Sequence, residues 1–185
     1  KLIENNCFIS GTRKTLFPLI DKRAISVGGG LTHRLNLNDS MLIKDNHLKL
    51  LSGNIEKALK LANKNKNAKY IEIEVKDEKE ASEAAEAIFS LGSNKLFAIM
   101  FDNMEASKIK NSIIKINNIL KNYKSIKNNN NLKNKNSNKK IILFEASGGI
   151  NEKNILEYSK TGVDVISLGL LTHSVKAFAL SLEII

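Results

Sequence analysis

Twenty residues hold most of the side chains that this chain uses sparingly. Gly28-Gly29-Gly30-Leu31-Thr32-His33-Arg34 runs on to Leu42-Ile43-Lys44-Asp45-Asn46-His47, and takes in two of the three histidines and one of the three arginines. Upstream, Thr12-Arg13-Lys14-Thr15 brings a second arginine, and His173 lies in Gly169-Leu170-Leu171-Thr172-His173-Ser174. In a chain otherwise rich in lysine, scarce His and Arg placed this way suit ligand contacts, because the guanidinium fork matches carboxylate and phosphate in a way lysine cannot copy. Brought together, Arg13, Lys14, His33, Arg34 and Lys44 would repel one another, so they imply a ligand with several negative charges. Singly, Lys14 or Lys44 would be read as a solvated or ion-paired surface residue.

Two carboxylates complement that patch. Glu74 and Asp102 end two different strand-like runs, and carboxylates beside phosphates are the usual means of holding a Mg²⁺ whose other ligands are water and substrate oxygens. Alternation in Ile71-Glu72-Ile73-Glu74-Val75 sets both glutamates opposite the aliphatics; Glu72 is expected to pair a nearby lysine. Glu145-Ala146-Ser147-Gly148-Gly149-Ile150-Asn151 joins a buried strand to a helix, so glycine amides and a helix start can cradle a phosphate. The Gly169 to Ser174 stretch offers the same at the last strand. Each alone reads equally well as a tight turn capped by Ser or Asn.

The elements that would position these groups alternate between strand and helix. Strands are expected at Cys7-Phe8-Ile9, Ala24-Ile25-Ser26-Val27, Met41-Leu42-Ile43, Tyr70 to Val75, Leu96 to Phe101, Ile141 to Phe144 and Val163 to Ile166. Helical spacing appears in Ile55, Ala58, Leu59 and Ala62 after a Ser52-Gly53-Asn54 start, and in Ala81, Ala84, Ala85 and Ile88 before Gly92. Such alternation argues for a parallel sheet with helical crossovers, and about seven strands on a chain this short suggest a closed or nearly closed, TIM-like α/β barrel. Each polar cluster (Arg13/Lys14, His33/Arg34, Lys44, Glu74, Asp102, Ser147, Thr172/His173) follows a strand, and in such barrels the loops after the strands share the catalytic rim.

Composition fits one domain over residues 1–185, with no Trp and a single Pro. The net charge of +10 is local. Ten of the 29 basic residues fall in residues 108–140, which hold no acidic residue, so the remainder balances at nineteen against nineteen. Ile109, Ile113, Ile116 and Leu120 keep a helical stripe to about Tyr123. The Lys/Asn-rich stretch at about 124–139 is expected to be a disordered surface insertion, having too little apolar side chain to offset ordering entropy. A solvated insertion is favoured over a nucleic-acid contact, and no nucleic-acid partner is expected. One cysteine excludes an internal disulfide, and no run of eighteen apolar residues or signal-peptide stretch occurs, which points to the cytoplasm without a membrane partner. The chain does not begin with Met, so upstream residues are expected to be missing.

Taken in order, Thr12-Arg13-Lys14-Thr15, Gly28-Gly29-Gly30 with His33-Arg34, Leu42 to His47, Ile71 to Val75, Asp102-Asn103, Glu145 to Ile150, and Gly162-Val163-Asp164 through Ser174 resemble the quinolinate phosphoribosyltransferase family, also called nicotinate-nucleotide pyrophosphorylase (carboxylating). The resemblance covers nearly the whole chain except residues 105–140. It implies an α/β barrel, dimeric or higher, that condenses quinolinate with phosphoribosyl pyrophosphate. The products are nicotinate mononucleotide, CO₂ and pyrophosphate, with Mg²⁺ required, in de novo NAD synthesis. It implies that Arg13, His33, Arg34 and Lys44 hold the carboxylates of quinolinate and that Lys14 lies between quinolinate and the pyrophosphate. Glu74 and Asp102 would face the ribose and its Mg²⁺, and Ser147, Gly148, Gly149, Gly169 and His173 would line the phosphate sites. Lys14, Glu74 and Asp102 are then the catalytic candidates, acting by position and electrostatics, since no covalent nucleophile is evident.

The chain departs from the family in lacking its N-terminal domain, which packs over the partner's barrel mouth and adds an arginine to the pocket. Leu16-Phe17-Pro18-Leu19-Ile20 is shorter than the family's segment and lacks its Pro-Gly and the arginine after it. Leu170 replaces a smaller residue. A catalytically incomplete fragment serving as a binding or subunit module is therefore the rival expectation.

Overall fold

In a computed structural model of the protein, residues 7–129, 142–175 and 179–184 are described, with the side chains of 123–129 excepted. Strand β1 (Phe8–Gly11) leads to helix α1 (Pro18–Val27), then β2 (Met41–Ile43), α2 (Asp45–Leu50), α3 (Ile55–Lys64) and β3 (Tyr70–Val75). Helix α4 (Glu78–Ser90), β4 (Leu96–Asp102), α5 (Ala106–Asn129), β5 (Ile142–Ser147), α6 (Ile155–Ser159), β6 (Val165–Leu168) and α7 (Leu170–His173) follow.

Among the described residues the sheet has six strands, all paired in parallel, in the order β1-β6-β5-β4-β3-β2. It is not closed by hydrogen bonds, because β1 and β2 stand at its two ends. The expected count of about seven strands is thus corrected to six among the described residues, and of the closed or nearly closed barrel the structure shows a parallel α/β sheet left open. Residues 24–27 belong to α1: Pro18 starts the helix at its first turn, where a missing N–H costs nothing, and Lys22 and Ile25 share its buried side. Gly28 caps it, and the Gly30 N–H donates to the Ile25 carbonyl at 2.9 Å. What remains of the seventh strand is one bridge, Leu31 against Ser10 on the free edge of β1.

The helices cover one face of the sheet. Ile71, Ile73 and Val75 of β3, Phe97, Ile99 and Phe101 of β4 and Phe144 of β5 are buried with Leu59, Ala84, Ala85, Ile88, Ile109, Ile113 and Ile116. The aliphatic and aromatic residues recur at every second position of β3 because that face never meets water. The helix start expected at Asn54 forms, its side chain accepting from the Lys57 N–H, and Asp77 caps α4 likewise by accepting from the Glu80 N–H, both at 2.8 Å. Helix α5 keeps the Ile109/Ile113/Ile116 stripe but runs to Asn129, past the expected end near Tyr123 and into the stretch read as disordered; the rest of that stretch, to 139, lies outside the described residues. No helix among the described residues is long and apolar enough to cross a membrane.

Candidate functional site

Pleating sends the alternate residues to the opposite face, and there the side chains are polar. Register places Ser10 beside Ser167, Ser167 beside Ser147 and Ser147 beside Asp102 in one row at the C-terminal edge. One step deeper, Glu74 lies beside Met100 and Met100 beside Glu145. Deeper again, Glu72 lies beside Ala98, whose small side chain leaves room between β3 and β5.

Glu72 and Glu145 are only 2% and 3% exposed. Burial pushes both carboxyls up, so that the pair titrates at about 7 and about 8 rather than near 4.5; the charge of Glu72 adds to the cost of ionising Glu145, while the Ser167 hydroxyl and His33 oppose it. The Ser167 hydroxyl donates to Glu145 Oε1 at 2.5 Å. Glu72 Oε1 has no hydrogen-bond partner among the described residues, and the titrations of the two carboxyls are linked. Glu72 Oε2 reaches His33 Nε2 at 3.4 Å, so its partner is this imidazole and not the lysine expected from sequence. Burial holds His33 below the usual histidine range, and its ring stands edge-on to Tyr70 at 4.7 Å.

Above this buried layer are the cations. Lys44 follows β2 and its Nζ lies 2.8 Å from Glu74 Oε1. The Arg34 guanidinium donates to the Ser40 carbonyl at 3.1 Å, and its field and that of Lys44 both reach Glu72. Among the described residues Arg13, Lys14 and Arg34 have no carboxylate within ion-pair distance. Arg13 and Lys14 are exposed in the loop after β1, which is tied to the last strand's exit by Thr12 and Thr172, their hydroxyls 2.8 Å apart. The structure therefore gathers His33, Arg34, Lys44 and Glu74 around Glu72. It sets Arg13, Lys14, Asp102, Ser147, Gly169 and His173 along the same strand ends. His47 has a different use: its Nδ1 accepts from the Lys44 N–H at 2.9 Å and caps α2.

Of the two phosphate-cradle stretches, Ser147 to Ile150 forms as a turn, whereas Gly169 directly precedes the short helix α7. Gly148 and Gly149 have φ of +91° and +65°, and α6 begins only at Ile155, so the loop amides are what a phosphate would meet. Replacing Gly148 by Ala would drive a Cβ to 2.9 Å from the Asn103 backbone nitrogen and closer still to its side chain. Gly148→Ala is expected to cost about 1–3 kcal/mol in urea unfolding, because the φ and the clash both oppose it. At the other stretch, the His173 ring folds over Gly169, where a Cβ would sit 2.4 Å from Nε2.

Glu74 and Asp102 point to the same face from adjacent strands, which suits a Mg²⁺ held by one or two carboxylates and completed by substrate oxygens. No group of three or more His, Cys, Asp or Glu able to hold a metal ion by itself occurs among the described residues. Glu145, Ser167, Tyr70 and Lys22 were not singled out from sequence. Glu145 shows the same signal as Glu72, a carboxylate set into an apolar strand.

Comparison with known proteins returns one family over almost the entire chain: "Quinolinate phosphoribosyl transferase, C-terminal domain" matches residues 1–183. The chain is 40% identical to the probable nicotinate-nucleotide pyrophosphorylase [carboxylating] of Methanocaldococcus jannaschii, covering 100% of this chain and 58% of that protein. It is 32% identical to the protein of the same description from Bacillus subtilis, covering 95% and 52%. Among solved structures, the nicotinate-nucleotide pyrophosphorylase from Francisella tularensis superposes with a TM-score of 0.70 at 31% identity, covering 96% of this chain and 53% of that one. A NadC deletion mutant gives 0.71 at 29% identity, covering 94% and 52%. The chain spans about half the length of the curated relatives it matches.

Proposed function

We propose, from the premise that this chain belongs to the quinolinate phosphoribosyltransferase family, that it transfers the phosphoribosyl group of phosphoribosyl pyrophosphate to quinolinate with loss of CO₂. The observation that carries the reading is the set of cations Arg13, Lys14 and Arg34, left without carboxylate partners among the described residues, on the edge that also presents Glu74 and Asp102. A pyridine dicarboxylate would neutralise such cations, with His33 and Lys44 completing its contacts and Lys14 placed between it and the pyrophosphate. The amides and hydroxyl of Ser147, Gly148 and Gly149, with Gly169 and His173, would take the phosphates. Glu74 and Asp102 would hold Mg²⁺, which when bound supplies charge neutralisation to the departing pyrophosphate. The same carboxylates would favour positive charge developing on the ribose. A homodimer or higher oligomer, which the family implies, would cover Leu19, Ile20 and Val27, the exposed apolar residues of α1.

Calorimetric titration with quinolinate, using nicotinate as the control, should show preference for the diacid. Adding phosphoribosyl pyrophosphate and Mg²⁺ should then release CO₂. Binding without release would make the chain a binding module that needs further protein to turn over. Equal affinity for the monoacid would remove the assignment of Arg13, His33, Arg34 and Lys44.

A further inference from the structure

Helix α1 turns two buried side chains inward, Ile25 and Lys22. Ile25 seats against two glycines, since a Cβ on Gly11 would meet its Cδ1 at 2.1 Å and one on Gly30 its Cγ2 at 2.7 Å. Lys22 is 3% exposed. Its Nζ donates to the Gly11 carbonyl at 2.6 Å and to the His33 carbonyl at 3.1 Å. Among the described residues no carboxylate lies within ion-pair distance of it. Burying an ammonium on neutral acceptors is expensive, and a neutral donor could bridge the same carbonyls for less. The two carbonyls are well chosen. Gly11 precedes Thr12-Arg13-Lys14, and His33 carries one site side chain and precedes another. The Ser10 hydroxyl also donates to the His33 carbonyl, at 3.0 Å, so α1 and β1 both converge on that one backbone group.

We infer that Lys22 is a positioning residue for the anion site, stapling the Arg13–Lys14 loop to the His33–Arg34 segment and holding a positive charge behind the rim. The inference rests on the reading of that rim as the quinolinate site. Its field reaches both Arg13 and His33; burial first, and then the Arg13 charge, lower the Lys22 pKa, while Glu145 and Asp39 oppose them. A bound dianion would relieve this repulsion, so part of the ligand's affinity comes from a residue it does not touch.

The test compares the wild type with Lys22→Met, Lys22→Gln and Lys22→Arg by two readouts. Amide hydrogen exchange at Thr12 to Lys14 and at His33 and Arg34, without ligand, reads the staple. Quinolinate affinity, with KM and kcat taken separately, reads the charge. Lys22→Met should speed exchange at those amides selectively and weaken quinolinate about tenfold, chiefly in KM. Lys22→Gln should recover protection but not affinity, and Lys22→Arg should recover most of both. Unchanged exchange in Lys22→Met, or loss of protection spread evenly over the chain, would overturn the staple. Wild-type affinity in Lys22→Gln would overturn the charge. If the wild type itself ignores quinolinate, the substrate reading falls, and with it the role of the charge, while exchange still decides whether the staple exists.

Discussion

Glu145→Gln is expected to make the protein more stable than the wild type at pH 8, by about 3 kcal/mol, with the gain shrinking as pH falls and gone only below about pH 4.3. An unfolded glutamate loses its proton near pH 4.3, whereas the folded Glu72–Glu145 pair titrates at about 7 and about 8. Between these limits the native state binds more protons than the unfolded state, so wild-type stability falls as pH rises. The pair's contribution is fully present below about pH 4.3 and is lost as pH climbs through the folded values. Glutamine carries no charge, can still accept from the Ser167 hydroxyl, and offers its amide to the donor-less Glu72 Oε1. Urea midpoints measured from pH 5 to 8.5 check this. Parallel curves for the variant and the wild type would mean that the two carboxyls do not share a proton. A native sequence that keeps two costly carboxyls under the proposed substrate edge accepts lower stability at neutral pH, as functional sites commonly do.

How much of this the sequence revealed depended on the kind of information each feature needs. Alternation in Ile71-Glu72-Ile73-Glu74 was enough to separate apolar from acidic faces, and it held. It could not say which face the helices cover, nor how deep each glutamate sits. Glu74 lies near the strand's C-terminal end, where Lys44 pairs with it, whereas Glu72 lies one pleat further in, against His33 and beside Glu145. Depth is a tertiary quantity. The run Ala24-Ile25-Ser26-Val27 looked like a strand because Ile and Val favour strands, but Pro18 and the Ile25 contact with Gly11 and Gly30 decide for helix. The strand that was expected there shrinks to Leu31. Lys22 was hidden for a different reason. Among 29 basic residues nothing marks the one whose ammonium is buried, since the carbonyls that hold it belong to backbone eleven residues away on either side. By contrast, the segments placed after strands were legible as a rim, because strand ends are local and parallel pairing brings them to one edge.

The second large effect concerns Lys44 and Glu74, which neutralise each other at 2.8 Å while 47% and 18% exposed. A pair this open to solvent contributes at most about 1 kcal/mol to stability, so stability gives little reason to keep it. It does, however, join a residue proposed to hold quinolinate to one proposed to hold the ribose and Mg²⁺. Lys44→Ala is therefore expected to leave the urea midpoint within about 1 kcal/mol of the wild type while weakening quinolinate binding about 10–100-fold, the range for losing a charge-assisted contact. Glu74→Gln should do the reverse at the first step, freeing the ammonium and tightening quinolinate a few-fold. It should also slow phosphoribosyl transfer about 100–1,000-fold, because charge aimed at the transition state is gone. The double variant should not show the sum of the two binding effects, since the gain from Glu74→Gln requires Lys44 to be present. Additive effects on binding would separate the two residues functionally. A stability loss in Lys44→Ala well beyond 1 kcal/mol, with quinolinate affinity unchanged, would make the pair a structural tie between β2 and β3 and remove Lys44 from the substrate's contacts.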